Sequence, residues 1–176
     1  MDLTISPYLS VLNQINWQDV NSFNFPDLWV KQWLSEQGSL SELMKKHCQA
    51  LSVTLLRNDW LVDPQMTKDE RVLLHNPDRC FLRQVVLSGD ASPWVIGHTL
   101  IPQATFQSAS CDFSTLEDKP IGELVFRMSN VIRDELQVAR VTSVQGVFWA
   151  RRSRLWIGDY PLLVTELFLP DSPVYR

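Results

Sequence analysis

Two charged residues in this chain stand among apolar neighbours, where a charge needs a partner. In LLVTELFLP, residues 162–170, strand alternation puts Glu166 on one face with Leu162, Val164 and Phe168; Leu163, Thr165, Leu167 and Leu169 make up the other. A segment apolar on both faces has the pattern of a strand buried between layers, where an unpaired carboxylate is costly. In CFLRQVVL, residues 80–87, Arg83 shares its face with Phe81, Val85 and Leu87. Its guanidinium does not readily lose a proton, so it calls for an anion.

Both charges have a structural and a functional reading. In the first, Arg83 and Glu166 pair with each other or with local partners. If Gly158-Asp159 is a two-residue hairpin loop, positions whose numbers sum to 317 face each other, which sets Arg151 opposite Glu166. In the second, Arg83 forks onto a ligand carboxylate while Glu166 meets a hydroxyl or ether oxygen at the ligand's other end. That site would be a small closed cavity for a ring with polar ends, and a buried carboxyl can also serve there as a proton donor.

The remaining constellations are weaker. His47 adjoins Cys48 and His75 precedes Cys80 by five residues, but neither spacing is a zinc pattern, and structural roles are expected. His98, after Gly97 in a strand-like run, could line a pocket, although a hydrogen-bonded structural histidine is the preferred reading. There is no phosphate-binding loop, dinucleotide fingerprint, H-E-x-x-H or G-x-S-x-G, and six glycines make a nucleotide cofactor a poor expectation. Arg151, Arg152 and Arg154 are split between faces by alternation and are read as solvated or paired.

The elements that must position Arg83 and Glu166 follow from periodicity. Residues 27–36 and 39–51 predict two helices meeting at Gly38–Ser39, the second opened by a Ser39/Glu42 capping box. Residues 52–56, 80–87, 94–101, 136–141, 153–157 and 161–169 predict about six strands. The second and third of these flank a turn-rich SGDASP, and the last two flank Gly158-Asp159. A short helix is predicted within 119–127, with Pro120 near its start. Helices first and antiparallel strands later make an α+β fold, expected as a single domain over residues 1–176 with helices covering an internal cavity.

Bulk properties bound the function. A net charge of −4 argues against a nucleic-acid surface, which carries a clustered positive field. Seven Trp and eight Phe supply a large apolar interior. The polar start of the sequence lacks a signal-peptide pattern, and no run approaches the ~18 apolar residues of a membrane span. Cys48, Cys80 and Cys111 are odd in number and widely spaced, as expected for a reduced, cytoplasmic setting.

The block RRSRLWIGDYPLLVTELFLPDSPVY resembles the signature of the bacterial chorismate pyruvate-lyases, which convert chorismate to 4-hydroxybenzoate and pyruvate. The resemblance extends through SVTLLR, FLRQVVL, SPWVIGHTLIP and KPIGELVF, from the second helix to the end of the sequence. It implies a monomeric α+β enzyme of the ubiquinone pathway with a cavity closed beneath flaps and no metal or cofactor. By alignment it places the ligand-binding arginine at Arg83, on the ring carboxylate, and the acid at Glu166, on the ring hydroxyl. It also places main-chain contacts to the carboxylate at Leu40 and Ile121, where the family pattern has Met and Leu; backbone N–H donors should tolerate both changes. Two routes stay open: proton donation by Glu166 to the departing ether oxygen, or direct hydrogen transfer from ring to enolpyruvyl group while Arg83 and Glu166 orient and polarise. The fold also resembles the effector domain of certain bacterial transcription regulators, which makes a non-catalytic aromatic-acid-binding domain the alternative. A lyase homologue that has lost activity and keeps only binding is a third possibility.

Overall fold

The computed structural model describes residues 5–62, 65–108 and 112–176, which leaves Cys111 outside the described residues. Seven strands form one antiparallel sheet: β1 Gln18–Asp19, β2 Leu51–Val62, β3 Arg79–Gly89, β4 Ser92–Pro102, β5 Val131–Ser143, β6 Gly146–Ile157 and β7 Tyr160–Phe168. Their spatial order is β1-β5-β6-β7-β4-β3-β2, so β7 is central and β1 and β2 are the edges. One more strand is present than the sequence predicts, because β1 is only two residues long and too short for a periodic signal.

The helices are short: α1 Ser6–Leu9, α2 Leu28–Leu34, α3 Leu40–Lys45, α4 Lys68–Leu73, α5 Gln103–Gln107 and α6 Ile121–Val125. Asp27 caps α2, its Oδ1 accepting from Val30 N at 2.8 Å. The predicted Ser39/Glu42 capping box does not form. Ser39 occupies the N-cap position of α3, but its hydroxyl is 2.7 Å from Ser41 Oγ, and Glu42 instead accepts from Lys45. A true capping box opens α4, where Glu70 N donates to Thr67 Oγ1 and Thr67 N to Glu70 Oε2.

Both predicted hairpins are present. Gly89 pairs with Ser92 around Asp90-Ala91, and both loop residues take the positive φ of a type I′-like turn. Ile157 pairs with Tyr160 around Gly158-Asp159, with Gly158 at φ +59°, and this register sets Arg151 opposite Glu166 as the loop length predicts.

Each face of the sheet carries two apolar clusters with a polar band between them. On the front face, Trp33, Leu34, Leu43 and Met44 of α2 and α3 pack with Leu87, Val95 and Phe168; Phe113, Leu116 and Val125 pack with Ile101, Leu155 and Leu162. On the back face, Ile5 and Val11 cover Ile96, Ala150 and Leu167, while Met66 and Leu74 cover Leu82, Leu100 and Leu163. Residues 162–169 are buried throughout, as expected of a strand covered on both sides.

At the end of β3, a Cβ on Gly89 would lie 2.4 Å from the indole of Trp94, itself 2% exposed. Gly89→Ala is therefore expected to destabilise the chain by about 1–3 kcal/mol through overpacking. The corresponding fall in Tm is about 3–10 °C, measurable by thermal unfolding.

Candidate active site

The front-face polar band is assembled by register. Val85, Gly97, Glu166 and Arg151 lie in one row across β3, β4, β7 and β6; Arg83, Thr99, Val164 and Ser153 lie in the next; Arg133 faces Leu155 beyond them. Gly97, without a side chain, leaves open sheet surface between Val85 and Glu166.

Two loop-to-helix junctions cover this floor. Ser39, Leu40 and Ser41 at the start of α3 meet Pro120, Ile121 and Gly122 at the start of α6, so closely that a Cβ on Gly122 would lie 2.6 Å from Ser39 Oγ. Together they enclose a cavity of about 40 Å³, also lined by Val85, Thr99, Phe126, Arg133, Val164 and Glu166. A substituted six-membered ring needs more room than that, so α3, α6 or both must shift to admit one. Leu40 and Ile121 are the first residues of their helices, and their N–H groups lie outside the intrahelical bonding pattern.

Arg83 is 3% exposed and does not itself line this cavity, but its same-face neighbour Val85 and its cross-strand partner Thr99 do, while Phe81 on its other side lines a neighbouring open groove. Its Nη2 donates at 2.8 Å to both Glu117 O and Lys119 O, pinning the loop that leads into α6. Glu117 takes φ +35° there. Arg83 Nε and Nη1 are buried with no hydrogen-bond partner among the described residues. Burial lowers its pKa below the ordinary arginine value, with Asp118 acting in opposition.

Glu166, 8% exposed, lines the cavity and accepts from Arg151 Nε. Arg151 is 1% exposed and also donates through Nη1 to Trp33 O and to Glu36 O at 2.9 Å. The structure therefore resolves the pairing question. Glu166 has the partner that the hairpin register predicts, and Arg83 is held by carbonyl groups rather than by Glu166.

The back-face band provides a contrast. His98 there is 2.9 Å from Gln84 Nε2 and 3.7 Å from Glu70 Oε1, and burial lowers its pKa. Arg152 donates to Gln137 and Asp69 and lies over Trp17; Arg154 donates to both oxygens of Asp134. His98, Arg152, Trp17, Asp69 and Glu70 border a second cavity of about 150 Å³, and there Arg152 is engaged by Asp69 and Gln137 and His98 by Gln84. The expected structural role of His98 fits this network. The basic run is paired, as one of its two readings held, although Arg151 and Arg152 are buried rather than solvated. Cys80 is buried with its thiol pushed up to about 12 by burial, and Cys48 is half-buried with a raised thiol pKa; neither is set up as a nucleophile.

Arg133, Ser39, Ser41 and Thr99 line the cavity without having been given a site role from the sequence. The nearest signal lay at Arg133, but β5 carries a bulge between Asp134 and Gln137, with Glu135 at φ +48°. That break hides the alternation that would have placed Arg133 beside the cavity.

An enclosed cavity on an antiparallel α+β sheet, lined by a carboxylate and by few other polar groups, has the form of a small-molecule site. The sequence model described as "Chorismate lyase" matches residues 11–176, and the chain belongs to that family. It is 48% identical over 170 residues to the probable chorismate pyruvate-lyase of Vibrio vulnificus strain CMCP6, covering 97% of this chain and 94% of the relative. It is 37% identical to the chorismate pyruvate-lyase of Pectobacterium atrosepticum, covering 94% and 90%. Among solved structures, the effector domain of PhnF from Mycobacterium smegmatis superposes with a TM-score of 0.54 at 13% identity, covering 76% of this chain and 90% of that one; this is a likeness of fold alone.

Proposed function

We propose that this chain cleaves chorismate to 4-hydroxybenzoate and pyruvate, and that its front-face cavity is the active site. The observation that carries the reading is Arg83: a buried guanidinium with Nε and Nη1 unpartnered among the described residues, whose strand neighbours Val85 and Thr99 line the cavity that Glu166 also lines. Free donors of that kind suit a ligand carboxylate, because two of its oxygens can meet them side by side.

In this proposal the ring carboxylate binds Arg83 and the main-chain N–H groups of Leu40 and Ile121. Glu166 accepts a hydrogen bond from the ring hydroxyl. In the reaction, the ether bond from ring to enolpyruvyl group breaks, and the ring carbon bearing the hydroxyl gives up its hydrogen. The enolpyruvyl methylene gains a hydrogen and becomes the methyl group of pyruvate, leaving an aromatic ring. Aromatisation supplies a strong thermodynamic drive, so the protein's main task is to hold the substrate in a reactive conformer away from water. The Arg151–Glu166 ion pair favours an orienting role for Glu166, since a carboxylate engaged by a guanidinium acts as an acceptor.

A monomeric, cytoplasmic enzyme whose product enters ubiquinone synthesis is part of the same proposal. A non-catalytic effector domain finds support only in backbone likeness, whereas relatives similar over nearly the whole chain are named lyases. The test is direct. Purified protein mixed with chorismate, with no metal or cofactor added, is expected to form 4-hydroxybenzoate and pyruvate in equal amounts. Absence of either product refutes the lyase reading.

A further inference from the structure

Chorismate carries two carboxylates, one on the ring and one on the enolpyruvyl group, whereas 4-hydroxybenzoate keeps only the first. Arg83 accounts for one of them. From the lining of the cavity we infer that Arg133 binds the enolpyruvyl carboxylate and thereby lets the site distinguish substrate from product. The inference rests on the lyase reading and extends it to a residue so far given no role.

Three features support it. First, Arg133 lines the cavity from β5, with Leu155, its register partner, beside it in the wall. In the strand order β5-β6-β7-β4-β3, the half-buried Arg133 lies on the side of Glu166 away from Arg83. The enolpyruvyl ether is on the ring carbon adjacent to the hydroxyl assigned to Glu166, so its carboxylate falls on that side too.

Second, Arg133 has donors to spare. Its Nε donates to Gln37 O at 3.0 Å, its Nη2 to Gly38 O at 2.9 Å and its Nη1 to Ser153 Oγ. A guanidinium has five N–H bonds, so each terminal nitrogen keeps one. The backbone carbonyls and Ser153 fix the plane of the group while Phe126 packs against it, with the guanidinium carbon 5.2 Å from the ring centroid. Its orientation is set before any ligand arrives.

Third, the local charge fits a dianion. Among the described residues, the charged side chains lining the cavity are Arg133 and Glu166, with the buried Arg83 and Arg151 in the two sheet rows that form its floor, so three guanidinium groups accompany one carboxylate. Asp118 near Arg83 is exposed, and Glu36 near Arg133 is half-buried and accepts from Gly38 N–H at 2.7 Å. Burial and the Arg151 charge push Arg133 down to about 10, a cost that a second ligand carboxylate would offset and the product would not.

Arg133 also tethers the Gly38 junction, so a structural role must be separated from a binding role. Leu40, assigned to the carboxylate that substrate and product share, follows that junction. A merely structural loss would therefore weaken both ligands together. In the full chain, Arg133→Gln is expected to raise KM for chorismate by about 30-fold or more. The inhibition constant of 4-hydroxybenzoate should stay within about threefold of wild type, and Arg133→Lys should recover part of the chorismate affinity. Parallel weakening of both ligands, or no change in either, overturns the assignment. If the wild type forms no product, the lyase reading falls by itself. The assignment is then decided by calorimetric titration with chorismate and with 4-hydroxybenzoate, and stands only if Arg133→Gln weakens chorismate alone.

Discussion

Arg83→Ala is expected to lower kcat/KM for chorismate by about 30-fold to several thousand-fold, the range for removing one partner of a buried charge-assisted pair. The same change should weaken 4-hydroxybenzoate by a comparable factor, because the ring carboxylate persists in the product. This separates it from Arg133→Gln, which is expected to affect substrate alone. Removing the side chain also strips Glu117 O and Lys119 O of their donor, and with them the tether of the loop entering α6. Arg83→Lys tests that contribution: an ammonium can satisfy one or both carbonyls but cannot offer the fork that Nε and Nη1 provide. Isothermal titration with 4-hydroxybenzoate is the decisive measurement. An unchanged dissociation constant in Arg83→Ala would exclude Arg83 as the carboxylate anchor.

Glu166→Leu is expected to have the largest effect on stability, about 3–5 kcal/mol, because it leaves Arg151 buried without its anion. Arg151 retains only carbonyl partners, and its Nη2 already has none. Replacing both residues, Glu166→Leu with Arg151→Met, should recover much of that loss, since no unpaired charge remains. Denaturant unfolding of the two single variants and the double variant completes the cycle. Glu166→Gln addresses the chemistry. If Glu166 orients the ring hydroxyl as an acceptor, the amide carbonyl preserves part of that role, and kcat should fall modestly with an unchanged pH profile. If Glu166 donates a proton, kcat should collapse in the Gln variant. The wild-type enzyme would then show a solvent deuterium isotope effect on turnover.

Much of this molecule is legible from local pattern. Alternation along residues 162–169 announces a strand buried on both faces, and the Gly158-Asp159 loop fixes its register with β6. Two-residue loops permit few geometries, so hairpin register is a local property, and the Arg151–Glu166 pair follows from it. The chemical oddity of Arg83 is equally local: a permanent cation on an apolar face is visible without knowing what lies opposite.

Where sequence reading failed, the cause was competition between local options. Ser39 and Glu42 have capping-box spacing, but Ser41 and Gly122 bring a buried neighbour to the Ser39 hydroxyl, and tertiary packing overrides the cap. At α4, where the true box forms, the capping Thr67 is exposed rather than buried. Arg133 was hidden by a bulge, which removes the two-residue period just where it was needed.

The sequence by itself determined six of the seven strands described, two of the hairpins, the two charges that demand an explanation and the family that explains them, because these depend on residue type, spacing and turn length. Only the tertiary structure decided which charges are satisfied. Arg83, Arg151 and Arg152 are all buried arginines, yet among the described residues only Arg83 has two unpartnered nitrogens, and its strand neighbours Val85 and Thr99 line the enclosed front cavity. That distinction comes from loops and helices distant in sequence, residues 36–41 and 117–122, converging on one face of the sheet. Whether a buried donor is left free depends on every group that could reach it, and no local pattern carries that information.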